Sequence, residues 1–351
     1  MKNTGNANSA ISPFVITAAL VVVIFGINQA QSVASLVLFS LFLAIIGTPL
    51  VLYLEKKHIP SFIAVFMVMA GIISILFIVG GVVGASINTF SEELPNMQQR
   101  LQEQVLSLKP ILEKNHINVN DKVLVNYINP GSVMDLVSRL FSALGSALSD
   151  IVLVLLTVTF ILLEASSFPV KLRSVLGDPR RAFPQFTIFT GDIVRYMVIK
   201  TLISLATGIV IGLWLWFIGV HYAVLWGFLA FLLNYVPNIG STIAAIPAVL
   251  LAFMQLGTGS ALLAMGGFMA VNFILDNIIE TKLMGNRLGL STLAVFLSLL
   301  LWGSLLGPIG MVLCIPLTMT LKFACASNKE TAWIAVLLGS EDYIDGKKIV
   351  V

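Results

Sequence analysis

The chain has 351 residues, of which 58% are hydrophobic and 11% charged, and its mean hydropathy is +0.99. Water-soluble domains carry about 25% charged residues, so composition excludes a soluble globular protein and places the chain in a bilayer. The formal charge of +3 says little about partners; no nucleic-acid partner is expected, and the only cysteines, Cys314 and Cys325, suggest neither a disulfide framework nor a metal cluster.

Long Leu, Ile and Val runs argue for helices rather than a barrel, whose strands would alternate. The first run, 14–27, lacks a cleavable signal pattern and reads as a retained span. A polar turn at 28–32 leads into span 34–54. Ile59-Pro60 restarts the chain, and span 62–87 carries Gly71, Gly80, Gly81 and Gly84, which allow close helix packing. Composition changes at Asn88. Within the polar segment 88–138, Leu94, Met97, Leu101, Val105 and Leu108 repeat at helical spacing. Asn129-Pro130-Gly131 reads as a turn, and Ser132 with Asp135 as a helix cap. The fourth span is expected at 140–163. A hydrophilic stretch, 164–200, holds an amphipathic stripe (Phe168, Leu172, Val175) and a turn at Gly177-Asp178-Pro179. The fifth span, 198–220, ends among Trp214, Trp216, Tyr222 and Trp226, an aromatic set suited to a membrane surface. His58, His116 and His221 have no histidine partner at ligand spacing and read as structural or interfacial.

No Asp, Glu, Lys or Arg occurs from Thr201 to Leu275. Inside this run lies a place where a helix must stop. Pro237 has no N–H, and its ring clashes with the Leu233 carbonyl. Gly240 permits a reversal, and Ser241 can cap a new helix. Freed backbone at membrane depth must be buried in protein or line a wet cavity. Asn234, Tyr235, Asn238 and Ser241 offer polar side chains there, and a broken helix in a charge-free segment points to a transporter's site. The flanking segments 223–233 and 242–256 are short for a crossing and read as a hairpin or two thin spans. Segment 261–279 is long enough to cross. A second break, Leu306-Gly307-Pro308-Ile309-Gly310, repeats the Pro then Ile-Gly pattern between 292–306 and 311–321. The plain alternative is that these prolines only kink packed helices.

The expected fold is an all-α polytopic membrane protein with about six full transmembrane helices plus these two short Pro/Gly-broken hairpins. Its parts are transmembrane helices at 1–87, an extracytoplasmic helical segment at 88–139, a further span and cytoplasmic amphipathic segment at 140–200, a transport core at 201–323 and a cytoplasmic tail at 324–351. Orientation follows from Lys and Arg near span ends. Lys56 and Lys57, the 164–200 cluster (Lys171, Arg173, Arg180, Arg181, Arg195, Lys200), Lys282 with Arg287, and Lys322 fall on one side. That side, with both termini, is expected to be cytoplasmic.

Enzyme motifs are missing: there is no Walker-type loop, His-Glu-x-x-His or Gly-x-Ser-x-Gly. No enzymatic activity, cofactor or metal is expected. One ionisable group stands out: Asn272, Asp276 and Glu280 are four apart and share a helix face. They are either a helix end paired with Lys282 or Arg287, or a stripe lining a solute or proton path; the residues leave both open.

The run Asn234-Tyr235-Val236-Pro237-Asn238-Ile239-Gly240-Ser241, with Ala245-Ile246-Pro247, resembles the signature of the autoinducer-2 exporter family of bacterial membrane proteins. So do Glu280, Met284-Gly285, Leu288-Gly289-Leu290-Ser291, Trp302-Gly303 and Leu306-Gly307-Pro308-Ile309-Gly310-Met311. The likeness covers nearly the whole chain and departs from the family at Thr281, where Pro is common. It implies a secondary transporter of the bacterial inner membrane, most like members exporting the quorum-sensing signal autoinducer-2. It also implies a homopentamer, each protomer with its own pathway, and an elevator-like movement. The substrate-binding or pathway candidates are Asn234, Tyr235, Pro237, Asn238, Gly240, Ser241, Asn272, Asp276, Glu280, Gly307, Pro308 and Gly310. A sodium or lithium/proton antiporter centred on Asp276 and Glu280, and a non-transporting scaffold or sensor, are the alternatives.

Overall fold

A computed structural model of the chain describes residues 22, 25–26, 28–107, 151–176, 184–237, 239–284, 289–328 and 330–340. Most of the expected first span, the turn and cap at 129–135, the start of the fourth span, the turn at 177–179, Asn238 and Arg287 lie outside these residues. The described chain is helical apart from one isolated bridge between Leu290 and Gly339. In order, the helices are α1 (Gln31–Glu55), α2 (Ser61–Ser107), α3 (Ile151–Leu176), α4 (Pro184–Ile218), α5 (Ala223–Leu233), α6 (Gly240–Leu256) and α7 (Thr258–Asn272). A π-helical segment (Phe273–Glu280) extends α7 into α8 (Thr281–Met284); α9 (Thr292–Ala326) and α10 (Ala332–Leu337) complete the chain.

Among the described residues five stretches are long and apolar enough to cross a membrane: Gln31–Glu55, Ser61–Ser86, Phe189–Ile218, Thr258–Met284 and Thr292–Ala326. Three shorter apolar helices accompany them, Ile151–Ala165, Ala223–Leu233 and Gly240–Leu256. Large apolar side chains such as Phe77, Trp216 and Phe217 point outward from the bundle, as lipid-facing residues do. The protein is therefore polytopic and all-helical.

Composition and helix ends do not coincide everywhere. The change at Asn88 falls inside α2, which continues through it to Ser107. Likewise α4 starts at Pro184, well before the apolar run, and carries Arg195 and Lys200 within the helix. An α-helix bonds its own backbone whatever its side chains, so polarity need not end it. The expected aromatic cluster disperses too. Trp226 is fully buried, and Trp214 lies along Gly267 with its indole N–H donating to the Leu263 carbonyl at 3.0 Å.

Three apolar clusters hold the bundle. One joins α1, α2 and α3 through Ala44, Val65, Val68, Val158 and Leu162. Another joins α4 to α7 through Ile211, Leu215, Trp226, Leu251 and Phe268. The third seats Tyr235 among Phe42, Met197, Leu313 and Met319, and so ties the α5–α6 connection to α1, α4 and α9. Phe42 meets Tyr235 edge-on at 5.5 Å.

Both expected hairpins are present. The His221 N–H, before α5, donates to Gln255 Oε1 at the end of α6 at 3.0 Å, so the two helices run back alongside each other. In α9, Trp302 Nε1 donates to Thr318 Oγ1 at 3.0 Å; on a straight helix those residues would stand about 24 Å apart. The reversal occurs at Gly307, with φ 67 and ψ −149, a region that suits glycine. Gly240 has another role: its φ is not positive, but a Cβ there would overlap the Leu233 carbonyl oxygen. Gly310 stands in the same relation to the Trp302 carbonyl. Ser241 does not cap α6, whose first turn has no side-chain cap.

Alanine at Gly240 or Gly310 is expected to destabilise the detergent-solubilised protein by about 1–3 kcal/mol, the usual cost of overpacking. A lowered unfolding midpoint is the readout. Alanine at Gly71, which has nothing within 4 Å of its added Cβ, leaves the midpoint in place.

Candidate functional site

The first break ends α5 with tightened turns: Tyr235 N–H donates to the Leu232 carbonyl at 3.4 Å and Val236 N–H to the Leu233 carbonyl at 2.9 Å. This turns two polar side chains toward α4. Asn234, buried, donates from Nδ2 to Ser204 Oγ at 3.2 Å. The Tyr235 hydroxyl donates to Thr201 Oγ1 at 3.0 Å, and Thr201 Oγ1 in turn donates to the Met197 carbonyl at 2.8 Å.

The other wall is the end of α7 and the π-helical segment. The wider π turn, with its i→i+5 bonds, recurs at functional sites. Here it carries Asp276 and Glu280. Lys200 of α4 donates to both Glu280 oxygens, at 3.0 and 2.9 Å. The pair is buried, with side chains 7% and 15% exposed. The Lys200 charge also acts on Asp276, and the Asn234 amide lies within reach of that carboxylate. Asn272 Oδ1, Asp276 Oδ1 and the Thr207 hydroxyl are buried and have no hydrogen-bond partner among the described residues.

The structure thus turns Asn234, Tyr235 and Glu280 onto one stretch of α4, with Asp276 and Asn272 one and two turns before Glu280 on the same arm. Glu280 takes its cation from Lys200, where one of the two open readings had Lys282 or Arg287, because α4 runs antiparallel beside the segment and buries its ammonium there. Arg287 itself is not described. Pro237 and Gly240 shape the break, and Ser241 is buried at the start of α6. Gly307, Pro308 and Gly310 sit elsewhere. The freed Leu306 carbonyl accepts from Ser35 Oγ of α1 at 3.1 Å, so the second break shares the Tyr235 apolar cluster but directs its hydrogen bonding to α1.

Sequence reasoning missed Thr201, Ser204 and Thr207 and counted Lys200 among loop cations. The signal was present: 200, 204 and 207 lie on one face of an apolar helix, matching the spacing of 280, 276 and 272.

Replacing Lys200 by Met strands Glu280 as an unpaired buried charge. The expected loss is about 3–5 kcal/mol of stability, seen as a lower melting temperature in detergent. Lys200→Met with Glu280→Gln recovers most of it, since the charge is then removed along with its partner.

The sequence matches the AI-2E family transporter profile over residues 14–327. Among its relatives, the AI-2 transport protein TqsA of Escherichia coli K12 is 37% identical over 319 residues, covering 91% of this chain and 93% of that protein. YhhT of Escherichia coli K12 is 34% identical over 322 residues, covering 92% of each. A Haemophilus influenzae relative is 35% identical over 333 residues, covering 93% of this chain and 96% of its own. A family profile spanning nearly the whole chain, on a polytopic helical bundle with two broken hairpins, places this protein among the AI-2E family transporters, which are membrane transport proteins and not enzymes.

Proposed function

We propose that the protein exports autoinducer-2 across the bacterial cytoplasmic membrane. The observation that carries this reading is the polar cluster held at the first break by Asn234, Ser204, Tyr235 and Thr201. A small hydroxyl-rich solute needs donors and acceptors rather than a countercharge, and a broken helix buried in protein is where a transporter presents them. The relationship to a protein named for AI-2 transport supports the choice of substrate.

In this reading Asn272 Oδ1, Asp276 Oδ1 and the Thr207 hydroxyl accept hydrogen bonds from the solute's hydroxyls, and Asn234 holds Ser204 beside them. The two breaks act as opposed hairpins, one on each side of the transport core at 201–323. Both termini are cytoplasmic, the segment 88–139 is extracytoplasmic and 324–351 is a cytoplasmic tail. The outward apolar face of Thr258–Met284, a helix mostly left uncovered by the rest of the bundle, suits contact with lipid or with neighbouring protomers of a homopentamer.

One observation favours a second reading, a sodium or lithium/proton antiporter: Asp276 has an unpartnered oxygen beside the Lys200–Glu280 pair. Export of labelled autoinducer-2 from membrane vesicles, at matched protein levels and several pH values, separates the two. Asn234→Ala removes the bond to Ser204 and the approach to Asp276, and is expected to lower the export rate about tenfold or more. Asp276→Asn, which keeps shape and most hydrogen bonding, retains measurable export. Loss of transport and of its pH dependence in Asp276→Asn, with Asn234→Ala nearly silent, would establish the antiporter instead.

Topology has its own test. In a background lacking Cys314 and Cys325, a cysteine at Gln104 is expected to react with an impermeant thiol reagent from outside, and one at Ser174 only after permeabilisation.

A further inference from the structure

Two contacts set the register between α4 and the α7 arm. Lys200 stands opposite Glu280, and about four turns further along α4, Trp214 stands against Leu263 and Gly267. One-turn steps between these antiparallel helices bring Ser204 level with Asp276 and Thr207 level with Asn272. Asn234 bonds Ser204 at the middle level, on the side from which its amide acts on Asp276. Helical stepping therefore sets three polar pairs at successive turns, like rungs, of which Lys200–Glu280 is the direct contact.

The rungs differ in what they leave over. Lys200 spends its ammonium on both oxygens of Glu280. Among the described residues the other two rungs leave buried oxygens without a hydrogen-bond partner: the acceptors Asp276 Oδ1 and Asn272 Oδ1 and the hydroxyl Thr207 Oγ1. Thr207 is 0% exposed, so water on the protein surface does not satisfy it. A buried acceptor without a donor costs free energy, and a ligand bearing hydroxyls removes that cost. Lys200 is bonded to Glu280 and acts on Asp276 only through space, so an ionised Asp276 would give the open rungs their negative charge. Divalent hard cations take about six oxygens or more, and no group of three His, Cys, Asp or Glu suited to a metal is found among the described residues.

We infer that the rungs Ser204–Asp276 and Thr207–Asn272 form a subsite for the uncharged polyol form of the solute, that Asp276 excludes its anionic forms, and that Thr207 helps set this specificity. The inference rests on the export reading above. A carboxylate can accept from two adjacent hydroxyls at once, whereas an anion meets like charge in a poorly screened interior.

Borate tests this, because it joins adjacent hydroxyls into a singly charged anionic ester. Labelled autoinducer-2 is loaded into proteoliposomes of bacterial polar lipid holding the full-length protein, and efflux is measured with and without saturating borate. Wild type is expected to slow about tenfold with borate, and Asp276→Asn about twofold or less. Thr207→Val raises the apparent KM about tenfold, and Thr207→Ser, which restores the hydroxyl, recovers it. Undiminished wild-type efflux with borate would overturn the inference, as would equal inhibition of Asp276→Asn, or a Thr207→Val protein with wild-type KM. Absence of efflux by the wild type without borate would instead reject the export reading itself.

Discussion

A lysine ammonium and a glutamate carboxylate buried between two membrane helices constrain much of what surrounds them. Neither ion is tolerable alone in an apolar interior. Their attraction offsets the desolvation only in close, well-made geometry, so Lys200 must keep facing Glu280. That requirement holds α4 beside the π-helical segment in one antiparallel register. The levels of Ser204, Asp276, Thr207 and Asn272 then follow from helical stepping alone. The net worth of such a pair is small or even unfavourable against a hydrophobic replacement, so its value here lies in registration rather than in stability.

Backbone satisfaction is the second constraint. A helix that stops within a membrane frees N–H and C=O groups, and both breaks answer this inside the protein. At the first, tightened turns absorb the carbonyls of Leu232 and Leu233, which swings Asn234 and Tyr235 toward α4. At the second, Ser35 of α1 answers the Leu306 carbonyl. Gly240 and Gly310 permit the same close return of the chain over a preceding carbonyl. The shared Pro and Ile-Gly pattern thus reflects a shared steric need, while the partners differ. The first break turns Asn234 and Tyr235 onto Ser204 and Thr201 of α4, whereas the second is bonded by Ser35 of α1.

The wider π turn ties these features together. It places Asp276 and Glu280 on the face toward α4 at the end of a helix whose other side is mostly uncovered. A polar wall on one face and an apolar wall on the other is the arrangement a membrane helix needs if it is to border both lipid and a solute path.

Composition alone determined that this chain is a helical membrane protein, because a bilayer accepts only long apolar stretches with internally bonded backbone. Pro237, Pro308 and their glycines marked both breaks, since proline removes a donor wherever the chain goes. The stripe Asn272, Asp276, Glu280 was likewise legible, as spacing along one helix is a local property. What remained hidden was which helix the stripe faces. Lys200 read as one more cation near a span end, and Thr201, Ser204 and Thr207 as ordinary small polar residues of an apolar run. The partners of Lys200, Thr201 and Ser204 lie some 30 to 80 residues away, and no local rule sets that distance. Tertiary packing decided it, through close contacts such as Trp214 on Gly267, and so turned separate polar residues on three elements into one cluster.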